Sequence, residues 1–308
     1  MARRKPPADV INLLNRYFRV MEPLIFNRGG TIDKFGGDAI MAFWGVLVDA
    51  PEAAYRATLA AVEMQNALYR FNWQSQAEGL DPIWMGIGLN TGEFVAGNVG
   101  SEQMVEYTVI GEAVNLAQRV ESLAARGQVL VTRATLGEFS DKAVAVALPK
   151  CPVKGYPDPI EVFSIRGMVM PEKERRPLRG RRADRPAGGA MLLSIPASFE
   201  AQGKGGLLRG FIRAGELDGD AILFEAETIC EMEINSKVRI APELQEKASM
   251  QPFEAVVAGK DIERSEELGE RRVVTLRVEK PDALLKNFLK PGTTIQGDQK
   301  LSLIHISE

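Results

Sequence analysis

Apolar residues at Val10, Leu13, Leu14, Phe18, Met21, Leu24 and Ile25 recur in steps of three and four, which predicts an amphipathic helix over residues 8–27. The period then shortens. Residues 31–35 and 39–44 read as two strands joined by the tight turn Gly36-Gly37-Asp38, a hairpin. Pro51 suits the first turn of a second helix, which reaches about Phe71 with an alanine-rich face. Residues 83–90 alternate as a strand, with residues 94–97 as its short hairpin partner. A strand over 108–110 precedes a helix that Gly111 opens and that runs to about Ala125. Strands over 128–132, 143–148 and 160–165, with a short helix after Thr132, complete this part. Strands and helices alternating with hairpins predict an α/β (α+β) sandwich of the ferredoxin-like sort over residues 1–167.

The texture changes next. Residues 168–189 hold seven arginines and lysines and three prolines, which marks a basic linker. Beyond it, short alternating strands are expected over 190–199, 207–212, 221–227, 231–240, 253–260 and 272–278, with a helix over 282–289. That pattern predicts a second, all-β barrel domain over residues 190–300. Gly203-Lys-Gly205-Gly206 lacks the Lys-Ser/Thr of a phosphate loop and reads as a hairpin turn. Residues 301–308 read as a non-native tail translated from vector sequence, the alternative being a frayed natural terminus.

Composition narrows the chemistry. The 308 residues carry a net charge of −3, without the basic face that nucleic-acid binding needs. No apolar run approaches the ~18 residues of a membrane span. Two distant cysteines, Cys151 and Cys230, suit a reducing cytoplasmic setting. The only histidine is His305, in the tail, so serine–histidine triads and histidine metal sites are excluded. Chemistry here must run on carboxylates, amides, guanidinium groups and lysines, as phosphoryl transfer does.

Two segments offer that chemistry. In the first, glycines before Asp38 leave its carboxylate beside bare backbone, a way to hold a hard cation that also binds phosphate. Lys34 lies four residues earlier; a turn aspartate and a solvated lysine would account for both equally. In the second, Asn115 and Arg119 sit four apart on the helix after Gly111 and share one face. An amide and a guanidinium so placed suit an anionic transition state, or form an ordinary polar stripe.

Together the two segments resemble the catalytic domain of class III adenylyl and guanylyl cyclases. The likeness runs from about Pro7 to Ile165 and takes in Asn90-Thr-Gly92, Gly97-Asn-Val-Gly100 and Val153-Lys-Gly155. The resemblance implies roles. Asp38 matches the second of two metal-binding aspartates, Lys34 the purine-selecting lysine of enzymes that use ATP, and Thr108 its purine-selecting partner. Asn115 matches the ribose-orienting asparagine, Arg119 the arginine neutralising the α-phosphate, and Lys154 a lysine on the terminal phosphates. It further implies two Mg²⁺ or Mn²⁺ ions, ATP as substrate, and a head-to-tail homodimer whose chains each supply half of every site. The family's first metal aspartate and its phosphate-binding turn have no match. The expectation is a truncated adenylate cyclase, impaired in activity and stability. The alternative is a catalytically inactive signalling module that binds a nucleotide or cyclic di-GMP, or a bare dimerisation scaffold.

The second domain resembles PilZ domains. Arg175 and Arg179 stand at the RxxxR spacing ahead of a small barrel, and the resemblance implies that they would grip the phosphates of cyclic di-GMP. The family's second motif is degraded here to Glu216-Leu-Asp218-Gly-Asp220, whose acids would repel a phosphate ligand.

Overall fold

A computed structural model describes residues 6–46, 52–175, 178, 191–201, 208–218, 220–228, 232–243, 252–265, 269–287 and 289–296. Two compact units divide the chain after Val129.

In the first unit, helix α1 (Pro7–Asn27) buries Leu13, Tyr17, Met21 and Ile25, one residue per turn. That stripe packs against α2 (Ala53–Ala77), where Met64, Ala67, Leu68 and Phe71 join the same core. Strands β1 (Thr31–Gly36) and β2 (Ala39–Phe43) form the expected antiparallel hairpin, with Gly36 opposite Ala39. Its two-residue loop is Gly37-Asp38, and Gly37 has φ +68°, the conformation that a tight hairpin turn asks of its first loop residue and that glycine adopts without strain.

The next strand is shorter than the alternation predicts: β3 spans only Ile87–Leu89. The preceding residues spend their backbone groups on α2 instead. Asn72 donates to the Ile83 carbonyl at 2.7 Å and accepts from the Ile83 N–H at 2.8 Å. Gln65 donates to the Met85 carbonyl at 2.9 Å. Two buried amides thus take the place of a neighbouring strand.

Residues 94–97 also find a different partner from the one expected. Strand β4 (Val95–Ser101) pairs with β5 (Met104–Ile110) in a two-stranded hairpin of its own. This hairpin is largely exposed, so its alternating pattern marks no buried face; Val95 and Met104 are 74% and 78% exposed. Helix α3 (Glu112–Leu123) follows. It seats closely on β3, where a Cβ on Gly88 would lie 2.1 Å from the Glu121 backbone nitrogen.

The second unit holds β6 (Val129–Thr132), the short helix α4 (Arg133–Gly137), β7 (Ala143–Ala147) and β8 (Val162–Val169). Thr132 caps α4, accepting from the Thr135 N–H at 3.3 Å. Strand β8 runs two residues into the expected linker, and its end pairs with β9 (Met191–Ala201).

From β9 a closed antiparallel ring forms: β9, β10 (Leu208–Asp218), β11 (Ala221–Thr228), β14 (Gly269–Val278), β13 (Phe253–Ser265), β12 (Lys237–Pro242), then β9 again. This is a six-stranded barrel. Alternate residues fill it, among them Leu193, Ile195 and Phe199 of β9 and Ile222, Phe224 and Ala226 of β11. Helix α5 (Ala283–Asn287), shorter than the 282–289 expected, adds Leu285 to that core. A last strand, β15 (Thr293–Gln296), pairs parallel with β7 and was not foreseen. The turn expected at 203–206, most of the 168–189 segment and the 301–308 tail lie outside the described residues.

Candidate functional site

Strands β1 and β5 bring Lys34 and Thr108 into one side-chain cluster through a residue between them, Asp33. The Asp33 side chain is fully buried. Its Oδ2 accepts from the Thr108 hydroxyl at 3.1 Å and lies 3.6 Å from the Lys34 ammonium. Its Oδ1 is buried without a hydrogen-bond partner among the described residues. Lys34 also donates to Glu106 Oε1 at 2.7 Å, and Glu106 stays 53% exposed at the rim. The hydrogen bond to Glu106, with the nearby charge of Asp33, raises the Lys34 ammonium above its ordinary range. Thr108 itself is buried.

Neither Asp33 nor Glu106 was foreseen. An aspartate inside a strand is the one signal the sequence held, because strands are depleted in aspartate. Its burial depends on β5, which lies more than 70 residues away in sequence.

Asp38 sits at the exposed tip of the β1–β2 hairpin and has no side-chain hydrogen bond among the described residues. Its charge is felt within the fold. Burial, and after it the negative charge of Asp38, push the Tyr17 phenol well above its usual range. A lone carboxylate on a bare glycine turn fits a hard cation held jointly with phosphate oxygens. It is not a complete protein cage: among the described residues no three Asp, Glu, His or Cys side chains gather as a metal site.

Asn115 and Arg119 lie one turn apart on α3, both exposed and both without side-chain hydrogen bonds among the described residues. The start of that helix is held by Asn90, whose amide donates to the Ala113 carbonyl at 2.9 Å. Donors anchored this way at the backbone and open at the side chain are placed to take an anionic ligand.

Lys154 belongs to the second unit, exposed in the turn where Gly155 has φ +91°. Arg175 is exposed and donates to the Met170 carbonyl at 2.8 Å, while Arg179 lies outside the described residues. Glu216 and Asp218, expected as part of a degraded phosphate motif, are buried on β10. They are already engaged: Glu216 accepts from the Leu178 N–H at 3.2 Å and Asp218 from Arg277 at 2.6 Å.

Among the described residues no helix is long and apolar enough to cross a membrane.

Residues 1–167 match the family described as the Adenylate and Guanylate cyclase catalytic domain. The chain is 34% identical over 182 residues to an adenylate cyclase of Anabaena cylindrica, covering 54% of this chain and 34% of that protein. It is 28% identical over 167 residues to adenylate cyclase 1 of Rhizobium meliloti, covering 54% and 25%. The chain thus spans about a third or less of the length of these relatives. Among solved structures, the guanylyl cyclase Cya2 superposes with a TM-score of 0.52 at 38% identity, over 55% of this chain and 86% of that one. The adenylyl cyclase CyaB from P. aeruginosa superposes with a TM-score of 0.51 at 28% identity, over 56% and 88%.

Proposed function

The chain belongs to the adenylate and guanylate cyclase catalytic-domain family, and from that premise we propose that it acts on ATP to form 3′,5′-cyclic AMP and pyrophosphate. The observation that carries the choice of ATP is the juxtaposition of Lys34 and Thr108 around Asp33. A cationic donor beside a hydroxyl is a purine-edge reader, and these two residue types match those of family members that use ATP.

In this reading the base lies against Lys34 and Thr108. Asn115 holds the ribose so that its 3′-oxygen faces the α-phosphorus. That oxygen bonds to phosphorus, the bond to the bridging oxygen of the β-phosphate breaks, and the hydroxyl proton leaves to solvent. Arg119 bears on the non-bridging α-phosphate oxygens, whose charge grows as the bond forms. Lys154, in the second unit, matches the family's lysine for the terminal phosphates and is the candidate for that role. A Mg²⁺ or Mn²⁺ ion, when bound, would lie at Asp38 and supply charge neutralisation at the phosphates.

A homodimer completes this reading, since Lys34, Thr108, Asn115 and Arg119 serve one half of a shared site. The exposed apolar side chains of the β4–β5 hairpin, Val95, Met104, Val105 and Ile110, support such an interface. For the barrel, a PilZ-like regulatory role is the proposal; the burial of Glu216 and Asp218 weighs against a phosphate ligand beside them.

Two measurements test the proposal on the purified chain with Mn²⁺: calorimetric titration with 3′-deoxy-ATP and 3′-deoxy-GTP, and assay of cyclic product from ATP and GTP. The expected result is tighter binding of the adenine nucleotide, with Lys34→Ala removing most of the preference in protein that still folds. Tighter binding of the guanine nucleotide, or none by folded protein, overturns it. Adenine-selective binding without turnover favours the inactive nucleotide-binding module.

A further inference from the structure

A threonine hydroxyl has one proton to donate and two lone pairs to accept with. Facing a purine, it can serve either role, so Thr108 by itself does not choose between adenine and guanine. Adenine presents an N6 amino group that donates, and guanine presents at the same place an O6 that accepts. The choice depends on where the Thr108 proton points.

The structure fixes that direction. Thr108 Oγ1 lies 3.1 Å from Asp33 Oδ2, and an ionised carboxylate can only accept. The proton therefore lies between the two, and only lone pairs of Thr108 remain for a ligand. Asp33 is positioned to do this firmly. Its side chain is fully buried, it stands at the bulge of strand β1 between the paired residues Ile32 and Lys34, and the Lys34 ammonium lies 3.6 Å from its Oδ2. Lys34 gives one of its three protons to Glu106 at 2.7 Å and keeps others for a base. The pair then reads donor at Lys34 and acceptor at Thr108. Adenine, with its N1 acceptor beside its N6 donor, complements that order; guanine, with N1–H beside O6, opposes it at both positions.

We propose that Asp33 is the specificity-determining positioning residue of this site: by accepting the Thr108 hydroxyl proton, it turns Thr108 into an acceptor toward the base and selects adenine over guanine. The proposal rests on the reading of Lys34 and Thr108 as purine-facing residues, and it assigns Asp33 no contact with the nucleotide.

The test measures the ratio of affinities for 3′-deoxy-ATP and 3′-deoxy-GTP, with Mn²⁺, in the full chain and its variants. Asp33→Ala frees the Thr108 proton to turn toward O6, so the adenine preference is expected to fall about tenfold, the value of one hydrogen bond made or opposed. Asp33→Val removes the acceptor in the same way with a residue suited to a strand, and serves if the alanine variant does not fold. Asp33→Asn keeps an oxygen that can accept and is expected to retain most of the preference. In a Thr108→Val background, removing the Asp33 carboxylate is expected to change the ratio no further.

A merely structural Asp33 would weaken both nucleotides alike and leave the ratio unmoved, which overturns the inference while leaving the purine-site reading intact. An undiscriminating or guanine-selective parent chain would instead sink that reading, and this inference with it.

Discussion

The barrel and the surface formed by the β1–β2 hairpin and α3 use charged side chains in opposite ways. In the barrel, Arg213 is only 8% exposed and is ringed by carboxylates. Its Nε donates to Glu225 at 2.6 Å, Nη1 to Glu227 at 2.6 Å, and Nη2 to Glu263 at 2.6 Å. It stands where β10 skips a residue against both β9 and β11, a bulge that lets a long side chain reach across the strands. Burial works against its charge, but Glu263, Glu225 and Glu227 outweigh that and push the guanidinium further up. On the β1–β2 hairpin and α3, by contrast, Asp38, Asn115 and Arg119 are exposed and have no side-chain partner among the described residues. Charges satisfied within the fold hold a structure; charges left open are available to a ligand.

The sharpest way to break that comparison is to delete one charge from each region. Arg213→Met leaves three carboxylates facing one another with little water, and removing one partner of a buried ionic cluster typically costs about 3–5 kcal/mol. Chemical denaturation of the variant is expected to show a loss of that order. A loss below about 1 kcal/mol would mean that the cluster contributes little and that other neighbours of Glu225 and Glu227 carry them.

Next in size come the open charges. Arg119→Ala and Asn115→Ala are each expected to lower cyclic-nucleotide formation by roughly 10²–10³-fold, the usual effect of removing one donor from a developing anion. Their melting temperatures should stay with the parent, because both side chains are exposed and neither is hydrogen-bonded among the described residues. A variant that melts early would move its residue to the barrel's side of the comparison.

The same division decides how much was legible in the sequence. Helix α1 and the barrel strands could be read because a buried stripe or an alternating inner face repeats locally; Ile222, Phe224 and Ala226 show it within five residues. The exposed candidates Asp38, Asn115 and Arg119 were visible too, since a turn and an i,i+4 spacing are local patterns. What escaped depends on residues far apart in sequence. The strand at 83–90 shrank because Asn72 and Gln65 of α2 reach its backbone. The partner of β4 was misassigned because its exposed apolar residues give no inner face to register against. Asp33 and Glu106 acquire meaning only when β5 comes alongside β1, and no spacing rule within either strand announces that.

The smallest expected effect comes from an ion pair of good geometry that stays at the solvent edge. Arg16 of α1 grips Glu78, just past the end of α2, with two parallel hydrogen bonds of 2.6 and 3.0 Å. The fork is as regular as those around Arg213, but the side chains are 39% and 50% exposed, and water and salt screen what they gain. The hydrogen bonds from Arg16 hold the Glu78 carboxyl below its ordinary value of 4.5. A carboxyl lowered in the folded state contributes stability that is fully present above its unfolded value and fades as pH falls through the folded one. Glu78→Gln is therefore expected to lower the melting temperature only slightly at pH 7, and the gap should close on acidification below about pH 4.5 and in molar salt. If the gap persists unchanged at pH 3, the glutamate acts through packing on α1 and not through its charge. If it rivals the loss in Arg213→Met, exposure is not what separates the two kinds of ion pair in this protein.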